Sequence, residues 1–136
     1  MKRIIVGISG ATGAIYGIRL LEVLSKSNVE THLVITEAAE RTIRMETDWK
    51  IGQLNSLAKV VYDIKDVGAD IASGSFHTDG MVVMPCSIKS LSAIANSQTQ
   101  FAQFQIQFFG RHSRIFQWQK SSARRFKNGE KFHIFQ

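Results

Sequence analysis

The chain has 136 residues, enough for one domain with a buried core, and its 44% hydrophobic and 21% charged residues are ordinary for a globular protein. No apolar run approaches the ~20 residues of a membrane span. The start shows no signal-peptide pattern, and the single Cys86 excludes an intrachain disulfide and suits a reducing cytoplasm. The net charge of +6 sits in one stretch: residues 98–136 carry seven Lys/Arg and one acid, Glu130, whereas residues 1–97 are balanced. Eight of the nine Phe also follow position 97. Two compositions therefore join near Ser97, and the basic pI describes the tail rather than a nucleic-acid-binding domain.

Lys2–Ile8 reads as a buried strand, β-branched and apolar after two cations. A tight turn, Gly7-Ile8-Ser9-Gly10-Ala11-Thr12-Gly13, leads into a helix from Gly13 to about Lys26, with Ile15, Ile18, Leu21 and Leu24 every three residues. Val29–Thr36 is a second strand. Strand, helix and strand within ~35 residues form a right-handed βαβ unit and imply a parallel sheet. Glu37 to about Met45 is a helix, with Thr36 as candidate N-cap and acids in the first turn. Ile51, Leu54 and Leu57 mark a short helix within Asp48–Ala58. Val60–Tyr62 is a short strand, and Asp66–Ala72 a helical turn or irregular link. After the polar loop Ser73–Gly80, Met81–Met84 is a buried strand, Pro85-Cys86-Ser87 turns out of it, and Ile88–Ala95 resumes helical spacing. Phe101, Phe104, Phe108 and Phe109 fit one helix face. From Arg111 to Gln136, basic and aromatic residues show neither alternation nor a 3.6 period.

Both strand–turn–helix junctions belong at the carboxyl edge of the sheet, where α/β folds bind ligands. The first is not a strict G-x-G-x-x-G: Gly10 and Gly13 supply the last pair, but Ile8 occupies the first position. Its glycines allow close approach, its helix start favours an anion, and Ser9 and Thr12 add hydroxyl donors for phosphate. Its bland alternative is a plain tight connection. Thr36 lies where nucleotide binders touch a ribose or ring edge, and serves equally well as an N-cap. Glu37 is at the distance of a Rossmann ribose-binding acid. Ser87 opens a second helix start suited to an anion, with Lys89 or Ser90 adding a donor, and it too has a plain N-cap role. Cys86 reads as a small buried side chain with no His partner, His32 as a packed strand residue, and Glu46 on its own as a solvated acid. No His/Cys/Asp/Glu cluster has metal spacing, so no metal site is expected. The tail matches a nucleic-acid surface in composition only, and disorder or a non-native sequence is the stronger reading.

The run Lys2–Gly17 resembles the start of UbiX-type flavin prenyltransferases. So do Glu30-Thr31-His32-Leu33-Val34, Met45-Glu46-Thr47-Asp48, Ser73-Gly74-Ser75-Phe76 and Met84-Pro85-Cys86-Ser87-Ile88-Lys89-Ser90-Leu91. Five motifs in order are specific together, and they cover residues 1–97. The resemblance implies an α/β fold, a flavodoxin-like or Rossmann-like parallel sheet with flanking helices, truncated here. It implies a cytoplasmic enzyme that binds FMN and joins to it a dimethylallyl group from dimethylallyl phosphate, without a metal. The prenylated flavin then serves a UbiD-type decarboxylase, and the family's members form homo-oligomers. By the same resemblance Gly10, Ala11 and Thr12 hold the flavin at the first turn, where relatives often carry Ser at the position of Thr12. Thr36 falls on a flavin-binding position, Ser87, Ile88, Lys89 and Ser90 on the second FMN segment, and Glu46 on an acid that handles protons.

After Ser97 the family's pattern stops. The Arg that binds FMN and the later Tyr and Arg that grip the prenyl phosphate are not recognisable in 98–136. The chain therefore divides into 1–97, the N-terminal part of an FMN-binding domain, and 98–136, an aberrant basic tail. The abrupt switch reads as a reading-frame shift, which translation of the other frames from codon 98 tests. A parallel sheet cut after three or four strands exposes an edge and uncovered apolar faces. The expectation is poor folding and weak or absent catalysis, and a cooperative melt raised by FMN counts against it. Two other readings stand beside the prenyltransferase. An FMN-dependent cysteine decarboxylase shares the glycine turn, but uses a Pro-Ala-Ser-Ala-Asn-type segment where this chain has Pro85-Cys86-Ser87-Ile88-Lys89. A non-enzymatic basic nucleic-acid binder rests on the tail alone, and RNA binding at two salt concentrations after deletion of 98–136 separates it.

Overall fold

Ile5, Val6 and Ile8 of the strand Lys2–Ile8 (β1) are all fully buried, and successive residues of a strand face opposite ways, so β1 needs cover on both sides. The computed structural model describes residues 1–66, 68–73 and 75–95, and the backbone of two further strands, 114–118 and 133–135. In chain order, β1 is followed by helix α1 (Ala14–Ser25), strand β2 (Val29–Ile35) and helices α2 (Glu37–Glu46) and α3 (Ile51–Asn55). Strand β3 (Val60–Tyr62), a 3-10 turn at Asp70–Ala72, strand β4 (Gly80–Val83) and helix α4 (Ile88–Ala95) come next. The two further strands are β5 (Arg114–Trp118) and β6 (His133–Phe135). Among the described residues the strand pairings are parallel, in the order β3-β2-β1-β4-β5-β6.

The expected elements of residues 1–95 are present, with shifts of a residue or two at their ends. Strand β2 stops at Ile35 because Thr36 is the N-cap of α2, its Oγ1 accepting from Ala39 N at 3.0 Å. Helix α2 runs to Glu46, which is its last residue rather than a neighbour beyond it. Helix α3 ends at Asn55, before Leu57. Strand β4 begins at Gly80 and ends before Met84, whose successor Pro85 has no N–H for a ladder. The proposed helix face of Phe101, Phe104, Phe108 and Phe109 lies outside the described residues, as does most of the tail.

Alternation along the strands divides the core in two. On one face Val6, Ile8, Leu33 and Ile35 pack with Ile18 and Leu21 of α1, Ile43 of α2 and Leu54 of α3. On the other, Ile5, Val34, Met81 and Val83 pack with Ile64, Ala69, Ile71 and Cys86, so an irregular crossover takes the place of a long helix. Each fully buried Leu or Ile contributes roughly 1.5–3 kcal/mol, which is what docks these short helices.

A polar string crosses the second face. His32, 3% exposed, meets the Glu30 carboxylate through Nε2 at 2.7 Å and the Tyr62 hydroxyl through Nδ1 at 3.0 Å. Arg3 Nε donates to the same Glu30 oxygen at 2.8 Å, Arg3 NH1 donates to His77 O, and the guanidinium lies over the Phe76 ring. His32 is thus packed, as its place in a strand implied. The hydrogen bond from His32, and next that from Arg3, holds Glu30 below the usual carboxylate range. A carboxylate lowered by folding stabilises above its unfolded value, near pH 4.5, and loses that contribution as pH falls through the lowered folded value. Urea melts from pH 6 down to pH 3 are expected to show falling stability for the wild type and a flatter profile for Glu30→Gln. Parallel profiles would remove Glu30 from the acid transition.

Candidate functional site

The strand order places the site. The chain runs outward from β1 through β2 to β3, then crosses to β4 on the other side of β1. The connections leaving the carboxyl ends of β1 and β4 therefore diverge, and a crevice opens between them. The register sets Gly7 opposite Val83, so the Ser9–Gly13 turn and the Met84–Ser87 turn leave the sheet side by side.

The two turns are joined. Ser9 N donates to Pro85 O at 3.2 Å, Ser9 Oγ donates to the same oxygen at 2.8 Å, and Ser87 N donates to Ser9 Oγ at 2.8 Å. Ser9 is 1% exposed. Its hydroxyl is spent inside the protein, while that of Thr12, which is exposed, has no partner among the described residues.

One face of α2 lies along the first turn. Ala38, Thr42 and Glu46 are spaced four apart and so share that face. A Cβ on Gly10 would stand 2.6 Å from Ala38 Cβ, so the turn passes the helix where only glycine fits. The Thr42 hydroxyl shares its proton between Ala38 O at 3.0 Å in its own helix and Gly10 O at 3.2 Å in the turn. Glu46 Oε2 accepts from Gly13 N at 2.9 Å and Ala14 N at 3.2 Å. Gly13, the N-cap of α1 at φ 92°, has no side chain to cap with, and Glu46 takes that role from the end of another helix.

The start of α4 is arranged differently. Ser87 Oγ accepts from Ser90 N at 3.1 Å and donates to Ser90 Oγ at 2.9 Å, which leaves the Ser90 hydroxyl proton to donate elsewhere. The amides of Ile88 and Lys89 precede any helical i−4 partner and have none among the described residues. Of the two helix starts, α1 thus holds an internal carboxylate and α4 is open to an external anion.

The structure brings Ser9, Gly10, Ala11, Thr12, Glu46, Ser87, Ile88, Lys89 and Ser90 to the first or second turn, with Thr36 at the neighbouring exit of β2. Glu37 is drawn away into an ion pair with Lys65 on the β3 side, which also lowers its pKa. Cys86 is 1% exposed, and burial pushes its thiol up to about 12, so it is no nucleophile at neutral pH. Among the described residues no group of three or more His, Cys, Asp or Glu is placed to hold a metal ion. No helix among them is long and apolar enough to cross a membrane. Sequence reasoning missed Thr42 and the Pro85 carbonyl. The spacing of Ala38, Thr42 and Glu46 was a signal for Thr42, but nothing local marks Pro85 O as an acceptor.

The family model described as Flavoprotein matches residues 1–115. The chain belongs to the Flavoprotein family. This flavoprotein is 62% identical over 95 residues to the flavin prenyltransferase UbiX of Thauera aromatica, covering 70% of this chain and 49% of that protein. It is 56% identical over 100 residues to flavin prenyltransferase UbiX of Escherichia coli K12, covering 73% and 53%. The chain spans about half the length of the curated relatives it matches. Among solved structures it superposes on AnUbiX (PadA1), crystallised in complex with FMN and dimethylallyl pyrophosphate. The TM-score is 0.83 at 38% identity, over 90% of this chain and 67% of that one. A dodecameric FMN-dependent UbiX-like decarboxylase from Escherichia coli O157:H7 follows at TM-score 0.79 and 37% identity, over 85% and 64%.

Proposed function

We propose that these residues form the flavin-holding half of a flavin prenyltransferase. The whole enzyme joins a dimethylallyl group from dimethylallyl phosphate to FMN and passes the prenylated flavin to a UbiD-type decarboxylase in a reducing cytoplasm. The reading is carried by the two tied turns at the β1–β4 crevice, one of which ends in an open helix start.

FMN fits the donor set. Its phosphate suits the amides of Ile88 and Lys89, the Ser90 hydroxyl proton and the Lys89 ammonium at the positive end of α4. Gly10 and Ala11 offer a bare backbone edge, Thr12 a hydroxyl, and Thr36 lies at the next exit along the sheet. Ser87 shapes the α4 turn rather than donating outward. Bound there, FMN would supply the nucleophilic ring to which the allyl group is joined. Glu46, whose carboxylate accepts from two amides at the first turn, is the residue to which the family resemblance assigns proton handling. Charge on the departing phosphate of the donor needs cations. The resemblance assigns these beyond Ser97, where 98–136 has no matching motif, so turnover by this chain alone is expected to be weak.

One relative is dodecameric, and we expect copies of the whole protein to assemble too. The cysteine-decarboxylase reading is less well supported, because Pro85-Cys86-Ser87-Ile88-Lys89 follows the prenyltransferase pattern.

Titration with FMN and with riboflavin, followed by flavin absorbance, tests the flavin reading. FMN is expected to bind at least about tenfold tighter, since a charge-assisted phosphate contact contributes about 1.5–3 kcal/mol. Equal affinities, or no spectral change with either flavin, would overturn it.

A further inference from the structure

A serine in a glycine turn beside a ligand crevice is the obvious donor to the ligand. Ser9 is not that donor: at 1% exposure its hydroxyl is closed off, and both its hydrogen bonds run to the other turn. The partners are 76 and 78 residues away in the chain, Pro85 O and Ser87 N, each at 2.8 Å. Ser87 caps α4 through Ser90 N. The residue that caps α4 is thus bonded directly to one buried hydroxyl of the first turn, beside the backbone bond from Ser9 N to Pro85 O.

We propose that Ser9 is a positioning residue of the flavin site: its hydroxyl locks the first turn of α4 to the β1–α1 turn, so that both present their donors to one ligand, and it touches no ligand itself. The proposal rests on the flavin reading above. Its chemistry is specific. The tie needs one group that donates to a carbonyl and accepts from an amide at once, which a hydroxyl does and an alkyl group does not. Alanine would leave the Ser87 amide facing a methyl group. Pro85 O would keep only the longer bond from Ser9 N, at 3.2 Å. The exposed Thr12, three residues on, is the hydroxyl free to serve the ligand.

The test uses the full chain as wild type, Ser9→Ala and Ser9→Thr. Amide hydrogen exchange is read at Ser87 and at Met84, whose amide donates to Gly7 O at 2.9 Å and reports the intact ladder. FMN affinity is read in parallel. In Ser9→Ala, Ser87 is expected to exchange at least about tenfold faster while Met84 stays protected, and FMN is expected to bind about tenfold more weakly. Ser9→Thr is expected to restore both. Unchanged Ser87 protection in Ser9→Ala overturns the proposal, and so does loosened Ser87 with wild-type FMN affinity. If Met84 is also lost in Ser9→Ala, Ser9→Thr decides: wild-type Ser87 protection and FMN affinity support the role, and a folded variant with tenfold weaker FMN binding refutes it. A wild type that keeps Ser87 protected yet takes up no FMN overturns the flavin reading, and the positioning role with it, before any substitution is made.

Discussion

Gly17→Ala is expected to destabilise the chain by about 2–3 kcal/mol, the upper part of the range for forcing extra volume into a packed site. Helix propensity alone argues the other way, since alanine is favoured over glycine by about 1 kcal/mol inside a helix. Packing wins because the new methyl group would run into the backbone oxygen of Met84, with Ile8 Cδ1 at 3.3 Å beside it. A flexible side chain could swing aside; that carbonyl cannot. Met84 N is tied to Gly7 O, and the next residue, Pro85, holds Ser9. Helix α1 would have to lift from the sheet, taking the first turn of the site with it. Gly52→Ala is the control. Gly52 is also helical, but nothing lies within 4 Å of the added Cβ, so propensity is unopposed and a gain of about 0.5–1 kcal/mol is expected. Urea melts of the two variants should shift in opposite directions. A shared direction would mean that the close passage of α1 over Met84 is not what makes Gly17 necessary.

Glu46→Ala is expected to cost about 1–2 kcal/mol, the upper part of the range for losing an N-cap. The loss removes the acceptor for Gly13 N and Ala14 N and the negative charge at the positive end of α1. Glu46→Gln keeps an acceptor and loses the charge, so it should fall between alanine and the wild type, and the gap between Gln and Glu should shrink in high salt. An anion-binding helix start stripped of its internal carboxylate should also accept an external one. Inorganic phosphate is therefore expected to raise the Tm of Glu46→Ala by more than it raises that of the wild type. Equal stability of Glu46→Ala and wild type, or equal response to phosphate, would show that the carboxylate does not serve as the cap.

How much of this was legible depends on how local each cause is. The strands and helices of residues 1–95 could be read because alternation and three-residue spacing are set by neighbours in sequence, and Thr36 and Ser87 announce helix starts by residue type. The carboxyl-edge location followed from parallel strands. The direction of the Ser9 hydroxyl was not legible, because the carbonyl and amide that engage it lie on a strand brought alongside only by the fold. Thr42 was half legible: its spacing from Ala38 and Glu46 is in the sequence, but what that face meets is not. Glu37 had the right separation for a ribose-binding acid and was claimed instead by Lys65, across a connection whose path sequence does not give. Strands β5 and β6 carry no period of their own that picks them out, and are defined by pairing to β4 and to each other.

The placement of β4 beside β1 also dictates when the site comes into being. The bond between Ser9 and Ser87 closes a span of 78 residues, and closing so long a span costs chain entropy that local contacts do not repay. The strand β1, its turn and α1 lie within residues 1–25, but the opposite wall of the crevice does not exist until Gly80–Ala95 has docked. The two walls of the crevice therefore come together only in the step that pairs β4 with β1.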